Sequence, residues 1–226
     1  MNILNKKKMY FILIILLTIN CAFSESGHVR FVKGEVFIGD KIAVKGQFFN
    51  NEDIIATKAN SLAIISLNEG STLKLHENTT VVVNQLADNN TPTRVTMSLG
   101  SIVVNALKSV ISSKLKQKFI LGTKSASMGV RGTTFFASYG KKESKDLWMC
   151  VNEGEVAVKS NLEESEKIVK SGEGVRVTNG EKTSEPKMLP WTKNLNWNFQ
   201  SDNENELANK VNIEDAYLNP LDFYYE

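Results

Sequence analysis

The chain has 226 residues, with 27 Lys and Arg against 25 Asp and Glu, and only two cysteines. A formal charge of +2 gives no basic patch or stripe of the kind that general nucleic-acid binding requires. Two cysteines make no disulfide framework, so the fold must rest on a packed core, which a chain of this length can bury.

Lys6, Lys7 and Lys8 precede an apolar run from Met9 to Ile19 that only Thr18 interrupts. The run is shorter than the roughly 20 residues that span a bilayer. It fits the apolar part of a secretory signal, and Ala22-Phe23-Ser24 supplies a small-x-small cleavage site. Residues 1–24 are therefore expected to be a leader, with Glu25 the first mature residue. A second reading competes: Leu17-Thr18-Ile19-Asn20-Cys21 resembles a lipobox, which would make Cys21 a lipidated first residue and attach the protein to a membrane. Both readings place the mature chain outside the cytoplasm, in the periplasm or lipid-anchored to the envelope. Removing the leader leaves 24 bases against 25 acids, so the apparent basicity belongs to the export signal. Cys150 then stands alone in the apolar run Leu147-Trp148-Met149-Cys150-Val151 and reads as a buried structural thiol.

The body reads as a ladder of short strands. In chain order these are Val29–Val32, Gly34–Ile38, Leu62–Leu67, Gly70–Leu75, Thr80–Asn84, Arg94–Ser98, Gly100–Val104, Phe119–Leu121, Thr133–Ser138, Leu147–Val151, Gly154–Val158, Lys167–Val169 and Gly174–Val177. Most are short runs with period-2 or continuous apolar character, several led by a turn glycine. The spacing is irregular, so no strict repeat period appears. The pattern predicts an all-β sandwich, barrel or solenoid. Residues 105–118, NALKSVISSKLKQK, break it: Leu107, Val110, Ile111 and Leu115 fall at near-helical spacing among four lysines. They predict a short amphipathic helix or a covering loop.

The C-terminal part changes composition. Pro186 and Pro190 mark a linker, followed by Trp191, Leu195, Trp197 and Phe199. Residues 203–213 fit a short helix, and residues 200–226 carry seven acids against Lys210. The closing stretch to Phe223, Tyr224 and Tyr225 is too aromatic for a plain solvated tail. Its rings either dock back on the β-body or form an interaction strip. The expected organisation is a leader over 1–24, a β domain over 25–185 and an aromatic, acidic extension over 186–226.

Residues 129–135 read Gly-Val-Arg-Gly-Thr-Thr-Phe. Two glycines at this spacing mark a forced turn or a close backbone approach, and the β-branched and aromatic run after them is strand-forming. The stretch resembles the hallmark of the FecR family, the iron-dicitrate transport regulator-like domain of bacterial envelope proteins. The lead-in, Thr123-Lys124-Ser125-Ala126-Ser127-Met128, lacks the proline usual there. Upstream, Gly34-Glu35-Val36, Gly46, Asp53, Thr57, the run Leu62-Ala63-Ile64-Ile65 and the turn Leu67-Asn68-Glu69-Gly70-Ser71 are also similar to the family pattern. The resemblance covers roughly Gly27 to Gly180. It implies a twisted, solenoid-like or sandwich β-fold in which Gly129, Val130, Arg131, Gly132, Thr133 and Phe135 serve structure or binding. Arg131 either braces the turn with its fixed fork of donors or projects toward an anionic partner.

Catalytic chemistry finds little support. His28 and His76 are the only histidines, neither has a partner at metal-ligand spacing, and there is no nucleophile elbow or phosphate loop. No catalytic residue, metal ligand or cofactor is expected. Founding members of the family pass a signal across the inner membrane to a sigma factor, using a cytoplasmic domain, a membrane helix and a periplasmic part. This chain resembles the periplasmic part, with only eight residues before Met9. The first expectation is a non-enzymatic envelope protein, a binding or scaffold module for another envelope protein or for cell-wall glycan. The alternative is an exported sensory subunit of a cell-surface signalling system, acting through a separate membrane partner. Oligomeric state is left open.

Overall fold

A computed structural model describes residues 26–88, 90–107, 119–130, 132–140, 145–189, 192 and 195–200. The first half of the chain contributes β1 (Gly27–Lys33), β2 (Val36–Ile38), β3 (Lys41–Ile42), β4 (Phe48–Phe49), β5 (Ile54–Thr57), β6 (Leu62–Ser66), β7 (Thr72–Leu75) and β8 (Thr80–Gln85). The long β9 (Thr93–Ala106) follows. The second half contributes β10 (Phe119–Gly122), β11 (Ala126–Val130), β12 (Thr133–Tyr139), β13 (Leu147–Glu153), β14 (Glu155–Ser160), β15 (Lys167–Lys170), β16 (Glu173–Thr178), β17 (Lys182–Thr183) and β18 (Lys187–Met188). The fold is all-β, as the strand pattern predicts.

Hydrogen bonding joins the strands into one sheet, and that sheet is folded into two layers. The first layer runs β4, β1, β6, β7, β9, β12, β13, β16, with β17 and β18 both pairing with β16. The second runs β3, β2, β5, β8, β9, β10, β11, β14, β15. These neighbours are antiparallel except β9 and β10, which run parallel from the pair Thr93 and Phe119.

β9 belongs to both layers. Residues 94–99 pair with β8 in the second layer, and residues 100–106 pair with β12 in the first. The side-chain alternation records the crossing. Val95 and Met97 face the core, Ser98 and Leu99 are both exposed, and Ile102 and Val104 face the core again. One interruption of the period-2 pattern swaps the buried face, so a single strand serves two layers. This corrects the reading of residues 94–104 as two separate strands.

The core lies between the layers. Val29, Phe49, Ile65, Leu73 and Phe135 of the first layer form one cluster with Val36, Ile55, Val81, Leu121 and Val158 of the second. Each such side chain contributes about 1.5–3 kcal/mol on burial, which offsets the entropy of ordering the chain. The β6–β7 hairpin closes as its sequence predicts: Leu67 N–H donates to Ser71 O at 2.8 Å and Gly70 N–H to Leu67 O at 3.0 Å.

Several strands were not anticipated. β3, β4, β17 and β18 are two residues each, too short for any periodic signal. β11 reads Ala-Ser-Met-Gly-Val, poor in strand formers and holding an interior glycine that argues against a strand. Of the interrupting segment, Asn105 and Ala106 end β9. Residues 108–118, the leader and the expected helix over 203–213 lie outside the described residues.

Candidate functional site

The glycine-bracketed stretch is a crossover between the layers. Gly129 and Val130 close β11 in the second layer, with Gly129 paired to Ile120 on one side and Ala157 on the other. Gly132 then turns with φ +71°, and Thr133 opens β12 in the first layer. Thr133 Oγ1 donates to Glu155 O at 2.9 Å. That bond ties the crossover to a second one, where Gly154 (φ +84°) carries the chain back from β13 to β14. The two crossovers lie back to back: a Cβ on Gly154 would sit 2.7 Å from Gly132 O. Phe135 is buried in the core between the layers. Gly132 therefore serves the backbone here, whereas Gly129 lies inside a paired strand. Arg131 and Cys21 lie outside the described residues.

A second feature lies on the outer face of the first layer. Phe31 stands opposite Ile64, Ile64 opposite Lys74, Lys74 opposite Val103, Val103 opposite Phe136, Phe136 opposite Cys150, and Cys150 opposite Gly174. These positions form one row across β1, β6, β7, β9, β12, β13 and β16, on the side away from the core. An outward row of an antiparallel sheet is ordinarily polar. This one is apolar except for Lys74.

Leu189, Leu195, Trp197 and Phe199 form a strap that covers the row. Leu189 and Leu195 are buried with Val103, Phe136, Trp148 and Cys150, and Trp197 and Phe199 pack against that cluster. Phe199 also reaches a second cluster of Leu62, Ile64 and Phe31. The segment thus traverses the strands from the β16 side toward β1. Gly174 makes room for it, because a Cβ there would lie 2.6 Å from Met149 O and would collide with a Leu189 methyl.

Lys74 holds this strap. Its side chain is fully buried, and Nζ donates to Asn196 O at 2.6 Å and to Asn198 O at 2.8 Å. The Phe199 ring centroid lies 5.6 Å from Nζ. Burial pushes the amine down to about 8 from its ordinary value. Within the strap, Asn196 Oδ1 accepts from Asn198 N–H and Asn198 Oδ1 from Gln200 N–H, each at 2.9 Å. These are local bonds that asparagine supplies to a non-ladder backbone. Cys150 is buried beneath, where desolvation pushes its thiol well up.

Beside the row, Arg176 fixes Trp148. The guanidinium lies 5.1 Å from the indole, and Nη2 and Nε donate to Asp146 Oδ2 at 2.6 and 3.1 Å. Asp146 Oδ1 accepts from Asn179 N–H at 3.0 Å. This nearly buried carboxylate thereby joins β13's start to β16 and its turn.

The histidines do not converge: His28 has its ring 6.3 Å from Phe48, and His76 is buried 6.5 Å from Phe136. Among the described residues no group of three His, Cys, Asp or Glu could hold a metal ion. Lys74 escaped the sequence reading because Leu73-Lys74-Leu75 looks like an exposed polar position between core leucines. The available signal was the alternation Leu195-x-Trp197-x-Phe199, which demands an apolar surface to rest on.

Residues 53–157, from just before β5 into β14, match the family model described as FecR protein. The strap lies beyond that match. No curated protein matches the sequence. Two crystal structures of a proposed anti-sigma factor from Parabacteroides distasonis ATCC 8503, at 2.50 and 1.65 Å resolution, are similar at 20% identity with a TM-score of 0.49. The alignment covers 60% of this chain and 59% of that one. So partial a likeness, at that score, carries no functional weight.

Proposed function

We propose, from the FecR domain over residues 53–157, that this chain is a regulatory subunit of a cell-surface signalling system, exported and acting through a separate membrane partner. The family match carries the reading, since founding FecR members relay signals across the inner membrane by protein contact. Relay by contact needs no catalytic group, and we read the chain as non-enzymatic. The lysine-led apolar leader supports export, and the matched domain resembles the periplasmic part of the founding members, which act together with a membrane partner.

This reading is preferred over a passive scaffold for cell-wall glycan. The aromatic residues gathered on the outer face, Phe136, Trp148, Trp197 and Phe199, pack against one another beneath or within the strap rather than lying open as a glycan platform. The test is crosslinking in cells of the tagged chain, with adducts identified by mass spectrometry. One dominant adduct with an inner-membrane signalling protein is expected. Adducts confined to glycan or to structural envelope proteins would overturn the regulatory reading and restore the scaffold.

A further inference from the structure

We propose that the row beneath the strap is the partner-docking surface of this protein, and that residues 195–199 hold it closed until an extended segment of a partner protein displaces them. The proposal rests on the regulatory reading and names the chemistry of the partner: a strand-like segment with large apolar or aromatic side chains at alternate positions.

The segment already seated defines that chemistry. Leu195, Trp197 and Phe199 alternate with Asn196 and Asn198, and the alternate residues reach the apolar clusters. Lys74 reads the intervening main chain, taking the carbonyls of Asn196 and Asn198 rather than any side chain. Recognition through two carbonyls demands an extended backbone but tolerates many sequences, which suits a surface that exchanges one segment for another. An amine fits the task, since it can donate to both carbonyls at once.

The attachment is of a releasable kind. Residues 195–200 belong to no strand; Lys74 donates to two of their carbonyls, and Asn196 and Asn198 accept from amides within the segment. Segments with few ladder bonds and half-exposed packing open at lower free energy than core strands. Trp197 and Phe199 are half-buried, whereas Phe136 and Cys150 beneath are fully buried. Lifting residues 195–199 uncovers Phe31, Ile64, Val103 and Phe136 in one line, with Lys74 at its centre. The surface requires no rearrangement of either layer.

The test uses the full chain. Hydrogen exchange of the wild type should show amides of residues 195–199 exchanging at least tenfold faster than those of β12 and β13. A fluorescent synthetic peptide of residues 193–201 then serves as the probe. It should bind the Trp197→Ala/Phe199→Ala double variant at least tenfold more tightly than the wild type. Adding Lys74→Met should weaken the peptide again. Strap amides exchanging in step with β12 and β13 would overturn the proposal, as would an open variant that ignores the peptide. If the double variant does not fold, the exchange measurement and the single Trp197→Ala variant decide in its place. Neither result depends on the identity of the membrane partner, so failure here leaves the crosslinking test of the regulatory reading intact.

Discussion

Replacing Lys74 by Met tests whether a cation is truly held out of water on this face. Methionine keeps an unbranched stem of similar length and removes the charge. Burial holds the amine near 8 instead of its ordinary 10.5, a gap worth about 3 kcal/mol. The sign follows from proton binding. Between about pH 8 and 10.5 the unfolded chain holds its lysine proton while the folded chain has released it, so folding becomes more favourable as pH rises across that window. Below 8 the folded state bears the whole cost of the buried charge, and above 10.5 it bears none. Urea unfolding of wild type and Lys74→Met, repeated at pH values between about 7 and 10.5, isolates this residue, because every other titrating group is common to both chains. The wild type should gain up to about 3 kcal/mol on the variant between pH 8 and 10.5. Parallel stability curves would show that the amine stays solvated, and the account of the strap as its cover would fail.

Gly154→Ala should lower stability by at least about 2 kcal/mol, since it forces a side chain into a left-handed backbone against Gly132 O. Thermal melting would read this as a drop of several degrees, and an unchanged midpoint would contradict the back-to-back crossovers. Phe136→Ala should cost about 3–5 kcal/mol in urea unfolding, because the ring is fully buried between the layer and its strap. A cost near that of a surface change would mean the strap is not seated. Asp146→Asn should cost about 1–3 kcal/mol by weakening the charge-assisted bonds to Arg176, with a change in Trp148 fluorescence. Fluorescence and stability both unchanged would remove the ion pair from the account.

The sequence was most legible where packing is one-sided. Strands such as Thr80–Gln85 alternate cleanly and were found within a residue of their ends. Legibility failed where a residue's surroundings come from distant chain. Lys74 is made interior by carbonyls more than a hundred residues away, and no local pattern carries that. β11 failed for a related reason: its Ala-Ser-Met-Gly-Val has weak propensity of its own and is a strand because β10 and β14 pair with it on both sides. The Gly132 turn was readable because glycine reports a backbone angle directly. The flanking Gly129 was readable only as an irregularity, not as the strand residue it is.

β9 gives the molecule a seam. In the registers of both layers, β1 to β8 lie on one side of this strand and β10 to β16 on the other. Each side contributes half of each layer, so each is a small two-layer unit in its own right, completed by the shared edge. The strap crosses the same seam on the outside, from Leu189 over Gly174 to Phe199 beside Ile64. A break in the chain between Leu107 and Phe119 would fall after the last described pair of β9 and before the first of β10. Two fragments so produced should find each other again, one offering the open edge of β9 and the other the strands that complete it. Their reassembly would be a split reporter whose signal depends on the fit of the two halves.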